Sequence, residues 1–68
     1  MFKATMTIIE KTSETDRYEG TESLKIYVYN ENDEGETRGE KKFNYIKDAW
    51  KYAEWLSNKF NTEGIEVL

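Results

Sequence analysis

The first residues of the chain alternate between apolar and polar side chains. Apolar residues stand at every second position, at Phe2, Ala4, Met6 and Ile8. Lysine and threonine separate them, which is the period-two pattern of a strand with one buried face. Residues 11–23 are polar apart from one tyrosine and one glycine, so we predict a long loop there.

A second alternating segment follows this predicted loop. Its aliphatic side chains stand at Leu24, Ile26 and Val28, which predicts a strand with that side inward. Residues 30–36, NENDEGE, contain the asparagine, aspartate and glycine typical of a tight turn. A weaker strand is predicted over residues 37–43. Strands two and three are therefore expected to form a β-hairpin.

The last third of the chain has the apolar spacing of an amphipathic helix. Steps of three and four connect Ile46, Ala49, Ala53, Leu56 and Phe60. Asn44 is predicted to cap the start of this helix, and the segment 61–64, with Gly64 at its end, is predicted to stop it. Ile65 and Val67 then have the spacing of a short final strand.

These elements predict a single α+β domain over residues 1–68. We expect a three- to four-stranded antiparallel sheet with one helix packed on one face, in the order β-β-β-α-β. One helix laid across such a sheet is the simplest way to bury both apolar faces. A chain of 68 residues builds one thin core and leaves little room for an enzyme cleft.

The composition excludes several kinds of catalytic and metal site. The chain has no cysteine and no histidine, so thiolate and imidazole ligands, cysteine nucleophiles and histidine bases are absent. We expect a protein that binds rather than catalyses, with no cofactor and no metal. The sequence shows neither the continuous apolar run of a signal peptide nor a membrane span of ~20 apolar residues, so we expect a cytoplasmic protein.

The net charge of −4 is unevenly distributed along the chain. Residues 1–36 contain nine acidic and four basic residues, whereas residues 37–60 contain six basic and three acidic ones. The predicted hairpin turn carries four carboxylates, those of Glu31, Asp33, Glu34 and Glu36. Such carboxylates can imitate a phosphate backbone and occupy the basic groove of a protein that handles nucleic acid. The alternative is that they only confer solubility.

A helical wheel places Trp55 about 140° from the centre of the apolar stripe, and therefore in solvent. Its predicted neighbours on that face include Tyr52, Lys51 and Lys59. Tryptophan and tyrosine are enriched at binding hot spots, so this face is a candidate anchor for a protein partner. In the alternative interpretation, the C-terminal segment or the long loop covers Trp55 as a small satellite core. Trp50 lies near the edge of the stripe and is predicted to belong to the core.

A third candidate surface is the outer face of the sheet. Tyr27 and Tyr29 are predicted to lie there beside three basic residues, Lys25, Arg38 and Lys42. Tyrosines among basic residues on a sheet can stack single-stranded bases. A DNA-binding accessory module that uses Arg38, Lys41 and Lys42 is therefore the second functional hypothesis. A structural or assembly subunit is the third.

Two segments resemble parts of phage proteins. The segment 42–56, KFNYIKDAWKYAEWL, resembles the end of the arm-binding domains of phage integrases, in which a hairpin precedes a phenylalanine and an alanine-rich helix. That resemblance implies DNA binding through the sheet. Residues 49–55 together with residues 64–67, GIEV, are similar in pattern to small phage proteins that inhibit host enzymes. That second resemblance implies an inhibitor of a host protein.

Together these observations favour a small acidic protein-binding module of phage type. Its expected partner is a host protein with a basic nucleic-acid-binding surface, so we expect the module to act in the host cytoplasm without binding nucleic acid or membrane directly. Trp55 and Tyr52 would anchor the contact, and the acidic residues would enter the basic groove of the partner.

Overall fold

The computed structural model describes residues 1–15, 20 and 22–68. Its elements are β1 (Met6–Thr15), β2 (Glu22–Glu31), β3 (Thr37–Phe43), α1 (Ile46–Phe60) and β4 (Ile65–Val67). The predicted α+β class and the element order β-β-β-α-β are confirmed. No helix in the described ranges is both long and apolar enough to cross a membrane.

The four strands form one mixed sheet in the order β3-β2-β1-β4. β2 pairs antiparallel with both β1 and β3, as expected. β4 instead pairs parallel with β1, through residues 65–67 and 7–9. The reason is the connection: α1 runs back across the sheet for about 22 Å, so the chain enters β4 from the same end as β1.

The predicted polar loop over residues 11–23 is largely wrong. β1 continues to Thr15 and β2 begins at Glu22, so most of this segment is a paired hairpin. The β1–β2 hairpin extends beyond β3, because β3 pairs with β2 only from Ile26 onward. In this extension the sequence has no apolar pattern on either face of the hairpin. Leu24 lies in this extension and is exposed, although it was predicted to face inward. Residues 16–19 and 21 of the predicted loop lie outside the described residues.

The core lies between α1 and one face of the sheet. Ile9, Ile26 and Val28 are buried from the sheet side, and they meet Ala49, Ala53 and Leu56 of the helix. The two alanines are fully buried, since their small side chains bring the helix backbone close to the strands. Two residues of the predicted stripe, Ile46 and Phe60, are exposed at the ends of the helix.

The predicted inward face of β1 is also wrong. Ile9 and the fully buried Thr7 face the helix, and Ile8 lies on the opposite face. The helix-facing positions of this part of β1 are therefore Thr7 and Ile9, and the alternating apolar residues Met6 and Ile8 lie on the outer face.

The ends of the helix differ from the predicted caps. Tyr45 occupies the N-cap position and makes no side-chain capping hydrogen bond. Asn44 lies one residue too early, and its side-chain oxygen accepts a hydrogen bond from Lys25 Nζ at 3.4 Å. At the other end Asn61 adopts the left-handed conformation with φ of 54°, so the helix stops inside the predicted segment 61–64.

A chain of hydrogen-bonded side chains connects the sheet to the end of the helix. The Thr7 hydroxyl donates to Asn30 Oδ1 at 2.6 Å, in a fully buried pair. The Thr62 hydroxyl lies 3.0 Å from that of Thr7 and 3.2 Å from the Gly64 carbonyl, and its one proton is shared between these two acceptors. The Ser57 hydroxyl, 2.5 Å from Thr62, then donates to Thr62. The chain joins β2, β1, the α1–β4 turn and α1.

We predict that Thr7→Val lowers the free energy of unfolding by about 1–3 kcal/mol, because it leaves Asn30 Oδ1 buried without its donor. The matched control is Thr5→Val, which removes a hydroxyl that donates to the Glu31 carbonyl in a partly exposed position. The control is expected to cost about 1 kcal/mol or less. Urea denaturation of both variants measures the difference, and equal losses would contradict the role given to Thr7.

Candidate functional site

Three aromatic rings form a continuous strip along the side of α1 that faces β3. Tyr52 is central: its ring centroid lies 5.5 Å from that of Phe43 and 5.7 Å from that of Trp55, and the Tyr52 and Trp55 rings are stacked. The Tyr52 hydroxyl donates to the Gly39 carbonyl of β3 at 2.7 Å. We call Phe43, Tyr52 and Trp55 the aromatic strip.

The strip rises from the core to the surface. Phe43 and Tyr52 pack against the core cluster, whereas Trp55 is 51% exposed, as the helical wheel predicts. No described residue of the C-terminal segment covers the indole as a satellite core. Trp50, predicted to belong to the core, is also exposed and lies elsewhere on the helix.

Lysine ammonium groups lie over the rings of the strip. Lys59 Nζ is 4.7 Å from the Trp55 ring centroid, as its predicted position on the same face suggests. Lys41 Nζ lies 5.4 Å from the centroid of Tyr52 and 5.5 Å from that of Phe43. Lys51 is exposed on the helix. Sequence reasoning missed Phe43 and Lys41 as members of this surface because both come from β3, which the helical wheel does not include.

The acidic turn, residues Glu31–Glu36, is held by the side chain of Asn32. Asn32 Oδ1 accepts the backbone N–H of Glu34 at 3.0 Å and that of Glu36 at 2.9 Å. Asn32 Nδ2 in turn donates to the Glu36 carboxylate at 3.2 Å. This use of an asparagine side chain to close a turn fixes the backbone that carries the carboxylates.

The acidic turn borders a polar depression of about 470 Å³. Asp33 and Glu34 line it, together with Lys3 from the N-terminal segment and Glu63 from the α1–β4 turn. Asp33, Glu34 and Glu36 are exposed. Their carboxylates are therefore available at this end of the molecule, on a backbone that hydrogen bonds hold in one conformation.

The three basic residues of the DNA-binding hypothesis are divided between the two faces of the sheet. β3 contains a bulge between its pairings with Val28 and Asn30, where Gly39 has φ of 75°. Arg38 lies on the helix side, with its guanidinium 5.4 Å from the Phe2 ring centroid. Lys41 belongs to the aromatic strip, and Lys42 lies over Tyr27 on the outer face of the sheet. Tyr27 and Lys42 therefore lie together on the outer face as predicted, whereas the bulge turns Arg38 to the helix side. Lys41 faces away from Lys42 because side chains alternate along a strand.

The outer face of the sheet is acidic around Tyr29. Burial is the largest cause of a raised pKa for the Tyr29 hydroxyl, and four carboxylates add to it. Each comes from a different strand: they belong to Glu10, Glu31, Glu40 and Glu66. Only Glu31 was among the predicted site residues. The other three are far apart in sequence and are brought together by the strand register. Within the described residues, no group of three or more carboxylates is arranged to hold a metal ion.

Comparisons of the chain with protein-family models, with curated proteins and with solved structures find no match.

We predict that replacing Glu40 and Glu66 with glutamine lowers the pKa of Tyr29 toward its ordinary value of 10.0, since two carboxylates that disfavour tyrosinate are removed. NMR titration of carbon-labelled tyrosine measures it, and an unchanged pKa would contradict the geometry. Because the folded-state pKa is raised, the stability that Tyr29 contributes is fully present below the unfolded pKa. It is lost as the pH rises through the folded pKa.

Proposed function

We propose that this protein is a binding module that inhibits a partner protein which handles nucleic acid. The observation that carries the proposal is Trp55: its ring is 51% exposed and is stacked on Tyr52, which is fixed by its hydrogen bond to Gly39. An exposed indole already held in one orientation loses little conformational freedom when a partner covers it. Such a residue is a suitable anchor for a protein contact.

The acidic turn supports the inhibitory part of the proposal. A phosphate mimic must present its charges in a fixed arrangement, and Asn32 holds the backbone of this turn through two hydrogen bonds. Asp33, Glu34 and Glu36 are exposed on it. Together with the net charge of −4, they favour approach to a basic groove, where they would compete with nucleic acid.

The phage-type origin of the module rests on the sequence resemblance of residues 49–55 and 64–67 to small phage inhibitors. In the fold these segments are the middle of α1 and the strand β4 with Gly64 before it. Binding of host nucleic-acid enzymes by this class of protein agrees with an acidic, rigid turn. We therefore propose a host protein with a basic surface as the partner.

Direct DNA binding has less support. Arg38, Lys41 and Lys42 do not share one surface, and carboxylates surround Tyr29 on the outer face. A duplex at the outer face would meet these carboxylates beside Lys42, and phosphates are repelled by carboxylates.

The role of Trp55 as the anchor can be tested by substitution. We expect the tagged protein to retain a stoichiometric partner from a bacterial lysate after nuclease treatment, and Trp55→Ala to weaken binding of that partner at least tenfold, as hot-spot truncations do. The matched control is Trp50→Ala, which removes an exposed tryptophan from another side of the helix. Circular dichroism verifies that both variants fold. A partner lost on nuclease treatment, or equal effects of both substitutions, would refute the anchor.

The role of the acidic turn can be tested by removing two of its charges. The double variant Asp33→Asn/Glu34→Gln is expected to weaken binding of the captured partner and to reduce its salt dependence, because two charges that face the basic groove are removed. The control Asp48→Asn/Glu54→Gln changes the net charge equally at two exposed helix positions. Calorimetric titrations at low and moderate salt compare them. If both variants behave alike, the turn acts only through net charge.

A further inference from the structure

An apolar pocket of about 290 Å³ opens on the helix side of the sheet, between β3 and the end of α1. Six residues line it: Phe2, Asn30, Arg38, Gly39, Leu56 and Phe60. The surface that a partner can cover comes from the half-buried ring of Phe2, from the exposed Gly39 and from the ring of Phe60, which is 51% exposed. We call this concave surface the Gly39 pocket.

The bulge in β3 leaves the space for this pocket. Gly39 has φ of 75° there, and a Cβ atom at this position would lie 3.4 Å from Leu56 Cδ1 and 3.7 Å from the Tyr52 hydroxyl oxygen. A side chain on residue 39 would therefore project between β3 and the helix, into the pocket. Glycine both adopts the positive φ of the bulge and keeps the pocket open.

The size of the pocket suits a single large side chain. Sites for drug-sized ligands have volumes of about 300–1,000 Å³, so this pocket is slightly smaller than the smallest of them. A concave apolar surface contacts an inserted side chain on several sides, and it therefore removes more apolar area from water than a flat surface does. Phe60 belongs to the apolar stripe of α1, and an inserted side chain would cover its exposed ring.

Two cations flank the aromatic rings of the pocket. The Arg38 guanidinium lies 5.4 Å from the Phe2 ring centroid, and Lys59 Nζ lies 5.8 Å from that of Phe60. Both cations are exposed, and neither is paired with a carboxylate among the residues that the structure describes. The pocket therefore has a positive rim on a protein whose net charge is −4.

The acidic residues of α1 and β3 do not face this pocket. Glu54 is about 160° from Leu56 around the helix, and Asp48 is in the first turn, whereas the pocket is at the last turn. Glu40 of β3 lies on the outer face of the sheet, where its carboxylate raises the pKa of Tyr29. The positive rim is therefore not neutralised by carboxylates of the two elements that form the pocket.

The pocket adjoins the aromatic strip. Lys59 Nζ also lies 4.7 Å from the Trp55 ring centroid, and the Gly39 carbonyl accepts the Tyr52 hydroxyl. Trp55 and Phe60 are about 7.5 Å apart along the helix axis. A partner segment anchored on Trp55 thus reaches the pocket within two or three of its own residues.

We infer that the Gly39 pocket binds a bulky apolar side chain of an acidic segment in the partner protein. The apolar side chain lies against the rings of Phe2 and Phe60. Neighbouring carboxylates of the same segment pair with Arg38 and Lys59, which have no such partner within the described residues. The inference rests on the proposed function and deepens it, since it gives the chemistry of the partner segment beside the aromatic strip.

Charge favours this occupant over two others. A second copy of the chain would bring together two molecules of net charge −4, and a nucleic acid strand would bring a phosphate with every nucleotide. A short acidic segment places its few charges at the positive rim alone. Its apolar side chain also fills the pocket, which a phosphate backbone does not.

The test uses the full chain and a capped five-residue peptide with a central leucine and two glutamates on either side. NMR titration at low salt is expected to shift the signals of Phe2, Gly39 and Phe60, and to leave those of Ile8 and Tyr29 on the outer face unchanged. Serine in place of the leucine is expected to weaken binding about tenfold, because the apolar burial is lost. Equal binding of the serine peptide would overturn the inference.

A third peptide, with lysines in place of the glutamates, separates local charge from overall charge. The net charge of −4 attracts the lysine peptide and repels the glutamate peptide. The positive rim is expected to reverse that order at the pocket, so the signals of Phe2 and Phe60 respond to the glutamate peptide at lower concentration. Equal or stronger binding of the lysine peptide at these signals would overturn the inference.

Two substitutions of exposed apolar residues at opposite ends of α1 test the wall of the pocket. Phe60→Ala is expected to weaken binding of the glutamate–leucine peptide at least fivefold. The matched control Ile46→Ala, which removes an exposed side chain at the start of the helix, is expected to change it less than about twofold. Thermal unfolding verifies that both variants fold. Equal effects would contradict the assignment of the pocket.

Two double variants of equal charge test the rim. Arg38→Gln/Lys59→Gln is expected to weaken binding of the glutamate–leucine peptide about fivefold, the combined effect of two modest ion pairs. Lys11→Gln/Lys47→Gln removes two exposed cations elsewhere and is expected to weaken it less than about twofold, through net charge alone. If the two variants weaken binding equally, the rim does not select the ligand and the inference fails.

The other occupants give different results. A single-stranded oligothymidine that displaces the peptide from the pocket, or self-association in sedimentation that Phe60→Ala abolishes, would overturn the inference. If a nuclease-resistant partner depends on Trp55 and the acidic turn but the peptide does not bind at Phe60, the inference fails and the proposed function stands. If the peptide binds there but no protein partner depends on Trp55 or the turn, the proposed function fails and the pocket stands.

Discussion

The close packing of Ala49 and Ala53 on Ile9, Ile26 and Val28 determines how the rest of the molecule is arranged. Both alanines are completely buried, so the helix backbone lies near the strands, and larger side chains must extend to its flanks. On the flank beside β3, Tyr52 reaches the Gly39 carbonyl and supports Trp55. With one helix available, only one face of the sheet receives a covering helix, and on the opposite face Ile8 and Tyr29 are nevertheless buried.

The polar interior at the end of the helix complements this apolar contact. Thr7 and Asn30 are buried within the sheet, and the hydroxyls of Thr62 and Ser57 continue their hydrogen bonding to the helix. A buried hydroxyl chain is favourable only when each member has its partner, so it fixes the register of β1 against β2 and the exit of the chain from α1. The short strand β4 depends on that exit, because its first residue, Ile65, pairs in parallel with Thr7 of β1.

The elements with a strong apolar period could be predicted from the sequence, and those without one could not. The stripe that contains Ala49, Ala53 and Leu56 predicts the helix, and the same wheel predicts the exposure of Trp55. Residues 11–15 carry no such period, and their strand exists because backbone pairing does not depend on apolar side chains. The parallel direction of β4 follows from the crossover path of α1, which local spacing does not encode.

The inward face of β1 could not be predicted, because the consecutive isoleucines at positions 8 and 9 allow either face to be inward. In the structure Thr7 and Ile9 face the helix, which is the face that the apolar alternation does not predict. The four carboxylates around Tyr29 need the pairing of four strands, so only Glu31 among them was predicted as a site residue.

The bulge at Gly39 has a consequence for how other chains can approach this sheet. β3 is an edge strand, and a regular edge presents unpaired backbone groups onto which another strand can add. Here the positive φ of Gly39 breaks the register, and the exposed charges of Arg38, Glu40, Lys41 and Lys42 stand along the strand. Backbone templating of aggregates, and recognition by strand addition, are therefore both disfavoured at this edge. Selectivity for a partner must come from side-chain chemistry, which a few substitutions can retune without rebuilding the fold.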